Sequence, residues 1–198
     1  KRLGAKEVIF VNNTFEPTFH YPHAISENDI QRLGGDVGFI GAWEKERCES
    51  ILYLANHGIK VRVWGGGKWL EYKNYSPNLK IEEKGLYSDD YCKALRAFKI
   101  NLCFLRKMNF DQQTTRSVEI PACGGFMLAE RTNEHIALFE EDKEAVYFST
   151  NAELLKKCRF YLSQEEKRNF ICQNGLAKCS YNDYSNKGMI KNILNLIL

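Results

Sequence analysis

The chain has 198 residues, 44% hydrophobic and 27% charged, with a formal net charge of +3 at pH 7. That length holds one α/β domain or one lobe of a two-lobed protein, and so mild a charge gives no ground for nucleic acid or a membrane surface as partner. No apolar run is long enough to span a bilayer, and the opening Lys1-Arg2-Leu3-Gly4 has neither an initiator Met nor the apolar core of a signal peptide, so a piece of a longer cytoplasmic protein is expected.

Residues 7–12 read as a short strand. Residues 13–28 read as an extended linker, with Pro17 and Pro22 among polar residues and no hydrophobic period. His20 and His23 lie there without acidic or cysteine partners at helical spacing, so they read as loop histidines rather than metal ligands. Residues 36–41 form a compact strand ending in Gly41. A helix over 43–56 keeps Cys48, Ile51, Leu52, Leu54 and Ala55 on a helical period, and His57-Gly58 stops it. Residues 60–64 are the next strand, ending in Gly65-Gly66-Gly67. Strand, helix and strand at this spacing make a βαβ unit with a right-handed crossover.

Residues 69–78 read as irregular, 79–82 as a strand and 84–87 as a turn. Ser88 is expected to cap a helix over 89–98, with Asp89 and Asp90 at its favourable positive end. A buried strand over 100–105 and a polar loop over 106–113 lead into Thr114-Thr115-Arg116-Ser117-Val118-Glu119-Ile120-Pro121-Ala122-Cys123-Gly124-Gly125. This is a short helix capped by Thr114 or Thr115 and stopped by glycines that tolerate a left-handed backbone. A strand over 126–129, a helix over 133–139, an edge strand over 145–148 and helices over 151–162, 164–179 and 182–198 complete the chain.

Alternating strands and helices predict an α/β fold with a doubly wound parallel sheet and C-terminal helices. The expected division is an N-terminal strand and linker or hinge over 1–35, a ligand-binding domain over 36–180 and a C-terminal helix over 181–198. The seven cysteines are odd in number, include no C-x-x-C pair and mostly occupy apolar positions, so they read as core thiols of a reducing compartment, without a disulfide framework or zinc site.

Ligands of such sheets bind outside the C-terminal ends of the strands. The segments at that rim are Gly41-Ala42-Trp43, Gly65–Gly67, Lys84-Gly85-Leu86-Tyr87, residues 106–115 and residues 130–133. Gly41 allows close backbone approach ahead of a helix N-terminus, and Arg47 in the first turns of that helix is a candidate phosphate ligand. The Gly65–Gly67 run is neither a dinucleotide fingerprint nor a Walker loop. Arg116 and Glu119 stand one turn apart. They suit either a private i, i+3 ion pair or a ligand that carries a diphosphate and vicinal hydroxyls. Leu86 and Tyr87 can cover a base or simply pack.

Gly38-Phe39-Ile40-Gly41-Ala42-Trp43, then Arg116-Ser117-Val118-Glu119-Ile120-Pro121-Ala122-Cys123-Gly124, and residues 139–148 resemble the C-terminal domain of group 1 glycosyltransferases with the GT-B fold, in particular its CgeB-like branch, whose helix carries Arg-x-x-Glu-x-x-Ala-Cys-Gly. The resemblance runs from about Val8 to the end. It implies a Rossmann-like single lobe of a GT-B fold that binds a nucleotide-diphosphate sugar, UDP- or GDP-linked, as donor substrate, with no metal or other cofactor. Glu119 matches the second Glu of the family's Glu-x7-Glu motif, which contacts the ribose. The first falls on Asp111, a shorter acid. Arg47 and Arg116 are then the diphosphate ligands, Gly85-Leu86-Tyr87 holds the base, Thr115 and Ser117 assist the phosphates, and Gly41 and Trp43 line the site.

The implied reaction is hexosyl transfer to an unidentified sugar, glycan, lipid or protein acceptor, with weak support for retention at the anomeric carbon. The N-terminal lobe of the same protein is an expected partner, so this lobe alone is expected to bind donor and transfer nothing. Ile190, Ile193, Leu194 and Ile197 are expected to expose part of an apolar stripe toward that lobe. A non-catalytic nucleotide-binding or interaction module is the alternative. A sugar-nucleotide epimerase would need cleft acids or bases, and the chain offers little beyond Glu82, Glu83 and Glu130.

Overall fold

The computed structural model describes residues 4–5 and 7–197, apart from the Ile197 side chain. Six strands form one parallel sheet: β1 (Gly35–Ile40), β2 (Val61–Trp64), β3 (Leu79–Glu82), β4 (Phe98–Cys103), β5 (Met127–Glu130) and β6 (Val146–Phe148). Their order is β3-β2-β1-β4-β5-β6, the doubly wound order expected when each crossover is right-handed. Register is set by pairs such as Phe39 with Val63 and Val37 with Ile100.

The helices are α1 (Glu27–Leu33), α2 (Lys45–Asn56), α3 (Ser88–Ala97), α4 (Arg116–Ala122), α5 (Asn133–Leu138), α6 (Asn151–Leu162), α7 (Glu165–Tyr181) and α8 (Asn186–Ile197). Among the described residues no helix is long and apolar enough to cross a membrane.

Both faces of the sheet are covered, so the strands are apolar on both sides. Val37, Phe39, Val63, Ile100, Leu102 and Leu128 face one layer with Ile51 and Leu54 of α2 and Leu154 and Cys158 of α6. Ile40, Trp64, Phe98, Met127 and Ala129 face the other, with Leu33 of α1, Leu95 of α3 and Val118 and Ile120 of α4. All seven cysteines are free thiols and six are buried, as the apolar spacing indicates.

Four local expectations are corrected. Residues 7–12 form no strand: with no partner strand their backbone stays outside the sheet, and Val8 and Phe10 are exposed. Within the expected linker, Ser26 opens α1 through a reciprocal capping box with Asp29. Into residues 69–78, expected to be irregular, runs a 3-10 turn, Gly67–Tyr72, that buries Trp69. Finally, neither Ser88 nor Thr115 makes a side-chain cap: Ser88 is the first residue of α3 with φ of +54°, and Thr115 already has helical dihedrals. Gly124 does take the left-handed conformation that ends α4, with φ of +74°.

Candidate functional site

A cavity of about 930 Å³ opens at the C-terminal ends of β1, β2 and β3. Its lining includes Gly41-Ala42-Trp43 after β1 and Gly65-Gly66-Gly67 after β2. The Gly41 N–H donates to the Trp64 carbonyl at 3.0 Å, and Trp69 Nε1–H donates to the Gly41 carbonyl at 3.0 Å. A Cβ on Gly65 would stand 2.4 Å from that same carbonyl, so glycine is required where the two strand ends meet.

Arg116 and Glu119 both line this cavity, and they do not pair with each other. The Glu119 carboxylate accepts the Tyr91 O–H on Oε2 at 2.6 Å, and its Oε1 lies 3.7 Å from His20 Nε2. Burial, reinforced by the negative charge of Glu119, pushes the Tyr91 hydroxyl far above the usual phenol range, so it remains a donor. Arg116 Nε is buried without a hydrogen-bond partner, and its guanidinium carbon lies 5.9 Å from the centre of the Phe39 ring.

Arg47 lies at the same distance from that ring, and its Nε is likewise unpartnered. It is only 5% exposed and is not on the cavity wall. Its Nη1 donates to the Ala42 carbonyl at 3.3 Å and lies 3.5 Å from Glu44. Burial lowers its pKa; Glu44 opposes the shift, whereas Arg116 and Arg106 add to it. The C-terminal rim thus holds two part-satisfied guanidiniums around one aromatic ring, an arrangement that favours an anion.

Gly85, Leu86 and Tyr87 line the cavity, with Leu86 buried and Tyr87 80% exposed. Trp43 lines it too, and Lys68 Nζ lies 3.9 Å from the centre of its ring. Asp111, Thr115 and Ser117 are not on the wall. Asp111 lies in the loop after β4, where its N–H points to the Arg106 carbonyl at 3.4 Å, and Thr115 is exposed. Ser117 is fully buried. It donates to His135 Nε2 at 2.7 Å and accepts the Thr114 N–H at 3.0 Å. The reason is helical phase: Arg116 and Glu119 share one face of α4, and Ser117 is turned about 100° away from Arg116, into the core.

Lys68, Trp64, Tyr91 and Phe19 also line the cavity and were missed. Lys68 directly follows the glycine run, and Tyr91 lies one turn into a helix that begins at the rim, so both had a legible signal. Phe19 and His20 come from a segment without periodicity: nothing local marked Phe19, and His20 read only as a loop histidine.

The sequence profile of the family described as glycosyl transferase-like, Glyco_trans_1_2, matches residues 46–195. No curated protein matches the chain. Among solved structures, the fold is shared with the C-terminal domain of a group 1 glycosyl transferase, LpcC, from Francisella tularensis at 14% identity and a TM-score of 0.67, over 87% of this chain and 99% of that one. It is shared with Anabaena Alr3699/HepE, solved with UDP and glucose, at 14% identity and a TM-score of 0.71 over 93% of this chain and 55% of that one. Sucrose-phosphate synthase from Thermosynechococcus elongatus aligns at 11% identity and a TM-score of 0.72 over 93% and 50%. The chain therefore spans about half the length of the last two and nearly all of the isolated LpcC domain. With a matching profile over most of its length and a six-stranded doubly wound sheet, the chain belongs to the glycosyl transferase-like family, group 1, and has the architecture of one lobe of a GT-B fold.

Proposed function

We propose that the cavity binds the nucleoside diphosphate of a sugar donor and that the chain is the donor-binding lobe of a glycosyltransferase. The observation that carries this is the separation of Arg116 from Glu119. One turn of helix presents an incompletely bonded cation and a carboxylate to one cavity, and neither satisfies the other. A diphosphate beside vicinal hydroxyls answers both needs: its oxygens accept from Arg116 and Lys68, and its ribose hydroxyls donate to Glu119. Gly85, Leu86 and Tyr87 would flank the base, while Gly41 and Trp43 line the approach. Arg47 contributes positive charge from behind the wall. Asp111, Thr115 and Ser117 have no direct part in this reading.

In the transfer, the bond from the anomeric carbon to the diphosphate oxygen breaks, a bond to an acceptor hydroxyl oxygen forms, and the acceptor's proton passes to an oxygen of the departing diphosphate. Arg116 and Lys68 would stabilise the charge that develops on the leaving diphosphate. The acceptor contacts would come from another lobe, since relatives such as sucrose-phosphate synthase have about twice this chain's length. The free thiols suit a reducing compartment, and a cytoplasmic setting is proposed on that basis.

Calorimetric titration with UDP, GDP and ADP tests the reading. At least one should bind, and Glu119→Gln should weaken it about tenfold, the loss expected for a hydrogen bond to a charged group, with the melting temperature little changed. A Glu119→Gln protein that loses stability but binds unchanged would make Glu119 structural. Full-length protein that binds a donor but transfers to no acceptor would favour a non-catalytic module.

A further inference from the structure

Residues 14–20 cross from α8 to the cavity and end on the carboxylate that the donor reading uses. At one end the Phe15 N–H donates to Tyr184, the Asn186 N–H donates to the Phe15 carbonyl, and Asn186 Nδ2 donates to Glu16 Oε2 at 3.2 Å. At the other end the Glu16 N–H points to His20 Nδ1 at 3.1 Å. That bond makes Nδ1 an acceptor, so the neutral ring carries its proton on Nε2. Nε2 is the nitrogen that faces Glu119 Oε1, at 3.7 Å. Tyr91 holds the other oxygen at 2.6 Å, and its ring lies edge-on to His20 with centroids 6.1 Å apart.

We propose that His20 is a positioning residue for Glu119: the Tyr91 hydroxyl bonds one carboxylate oxygen, and the Nε2–H edge of His20, oriented by the backbone of Glu16, faces the other at 3.7 Å and attracts it electrostatically, so that the remaining lone pairs meet the two ribose hydroxyls of a nucleoside diphosphate. This rests on the donor-site reading and adds to it a determinant of ribose over deoxyribose. It also links the site to the contact of residues 14–16 with α8.

The titratable groups facing the ring are Glu119 from α4, Tyr91 from α3 and Glu16 from its own segment. Burial lowers the imidazole pKa, while Glu119 and Glu16 act to raise it. Protonation places a hydrogen on Nδ1, opposite the Glu16 N–H, and removes the bond that orients the ring. It also makes the imidazolium compete with the ribose for Glu119. Both effects reduce ribose recognition as pH falls through the lowered pKa of this imidazole, below the ordinary histidine range.

The experiment titrates the tightest binder of UDP, GDP and ADP, its 2′-deoxy counterpart and inorganic pyrophosphate into the wild type, His20→Ala and His20→Gln. His20→Ala should weaken the ribonucleotide roughly threefold, the worth of an electrostatic contact at this distance, lower the ribo/deoxy ratio by the same factor and leave pyrophosphate unchanged. His20→Gln, which keeps an N–H near the Nε2 position, should restore most of the ratio. The ratio should fall in acid for the wild type and stay flat for His20→Ala. An unchanged ratio in His20→Ala overturns the proposal. A wild type that binds pyrophosphate but no nucleoside diphosphate overturns the donor reading first, and this one with it. A readout independent of nucleotide is the His20 NMR titration: Glu119→Gln should lower its midpoint, and an unmoved midpoint refutes the contact.

Discussion

Single residues here divide into those the cavity uses and those the core uses, and neighbours in sequence fall on opposite sides of that line. Arg116 faces the cavity, whereas Ser117 is sealed in a chain of hydrogen bonds. Its hydroxyl donates to His135 Nε2, and His135 Nδ1–H donates to the Glu130 carbonyl at 2.6 Å. With both partners fully buried, this serine and histidine form a structural lock between α4 and α5, out of reach of substrate. Burial holds the His135 pKa below its ordinary value, against the opposing effect of Glu130. The unfolded chain therefore binds a proton near pH 6.5 that the folded chain refuses, so stability is full above that pH and falls as the medium becomes more acid. Urea unfolding between pH 7.5 and 5.5 should show stability falling with acid below about pH 6.5, with a slope from this group no steeper than about 1.4 kcal/mol per pH unit, the limit for one proton. His135→Gln should begin less stable but show a shallower acid slope.

At the scale of elements, the sequence period revealed the strands and long helices but not what ties them together. Arg62 alternates with Val61 and Val63 and reads as an ordinary polar position in a strand. In the structure it is nearly buried. It pairs with Glu82 of β3 at 2.6 Å and donates to the Gly34 carbonyl at 2.9 Å and the Arg32 carbonyl at 2.5 Å. One guanidinium thus joins β2, β3 and the C-terminus of α1. Removing it leaves a carboxylate and several carbonyls short of donors, so Arg62→Leu should cost about 3 kcal/mol, measured by chemical denaturation. The helix α1 itself was hidden because only seven residues long and preceded by a proline-rich stretch, it offers barely two turns of pattern. Residues 7–12 failed in the opposite way: an apolar run supplies strand propensity, but a strand also needs a free edge beside it. Ile190 and Leu194 of α8 are exposed as expected, and the Ile197 side chain lies outside the described residues.

For the whole molecule, the cavity exists because β1 and β2 end side by side without side chains between them. Gly65→Ala puts a methyl 2.4 Å from the Gly41 carbonyl and 2.7 Å from Trp69 Cδ1. Relief requires the strand ends to part, so this variant should lose about 2 kcal/mol of stability and most of its nucleotide affinity, read by thermal melting and calorimetry. Much of the architecture was legible in the sequence. Alternation of apolar strands with periodic helices, punctuated by Gly41, Gly65 and Gly124, determined a doubly wound sheet and the rim where the cavity opens, because these signals act over a few neighbouring residues. Arg116 and Glu119 were singled out by the same local logic, as charges in an otherwise apolar helix. Whether they bond to each other was beyond it. An i, i+3 spacing permits an ion pair, and only the tertiary structure decided against one, by bringing Tyr91 and His20 from distant segments to the carboxylate. Contacts between residues tens of positions apart depend on how the sheet packs its helices, which no local pattern encodes.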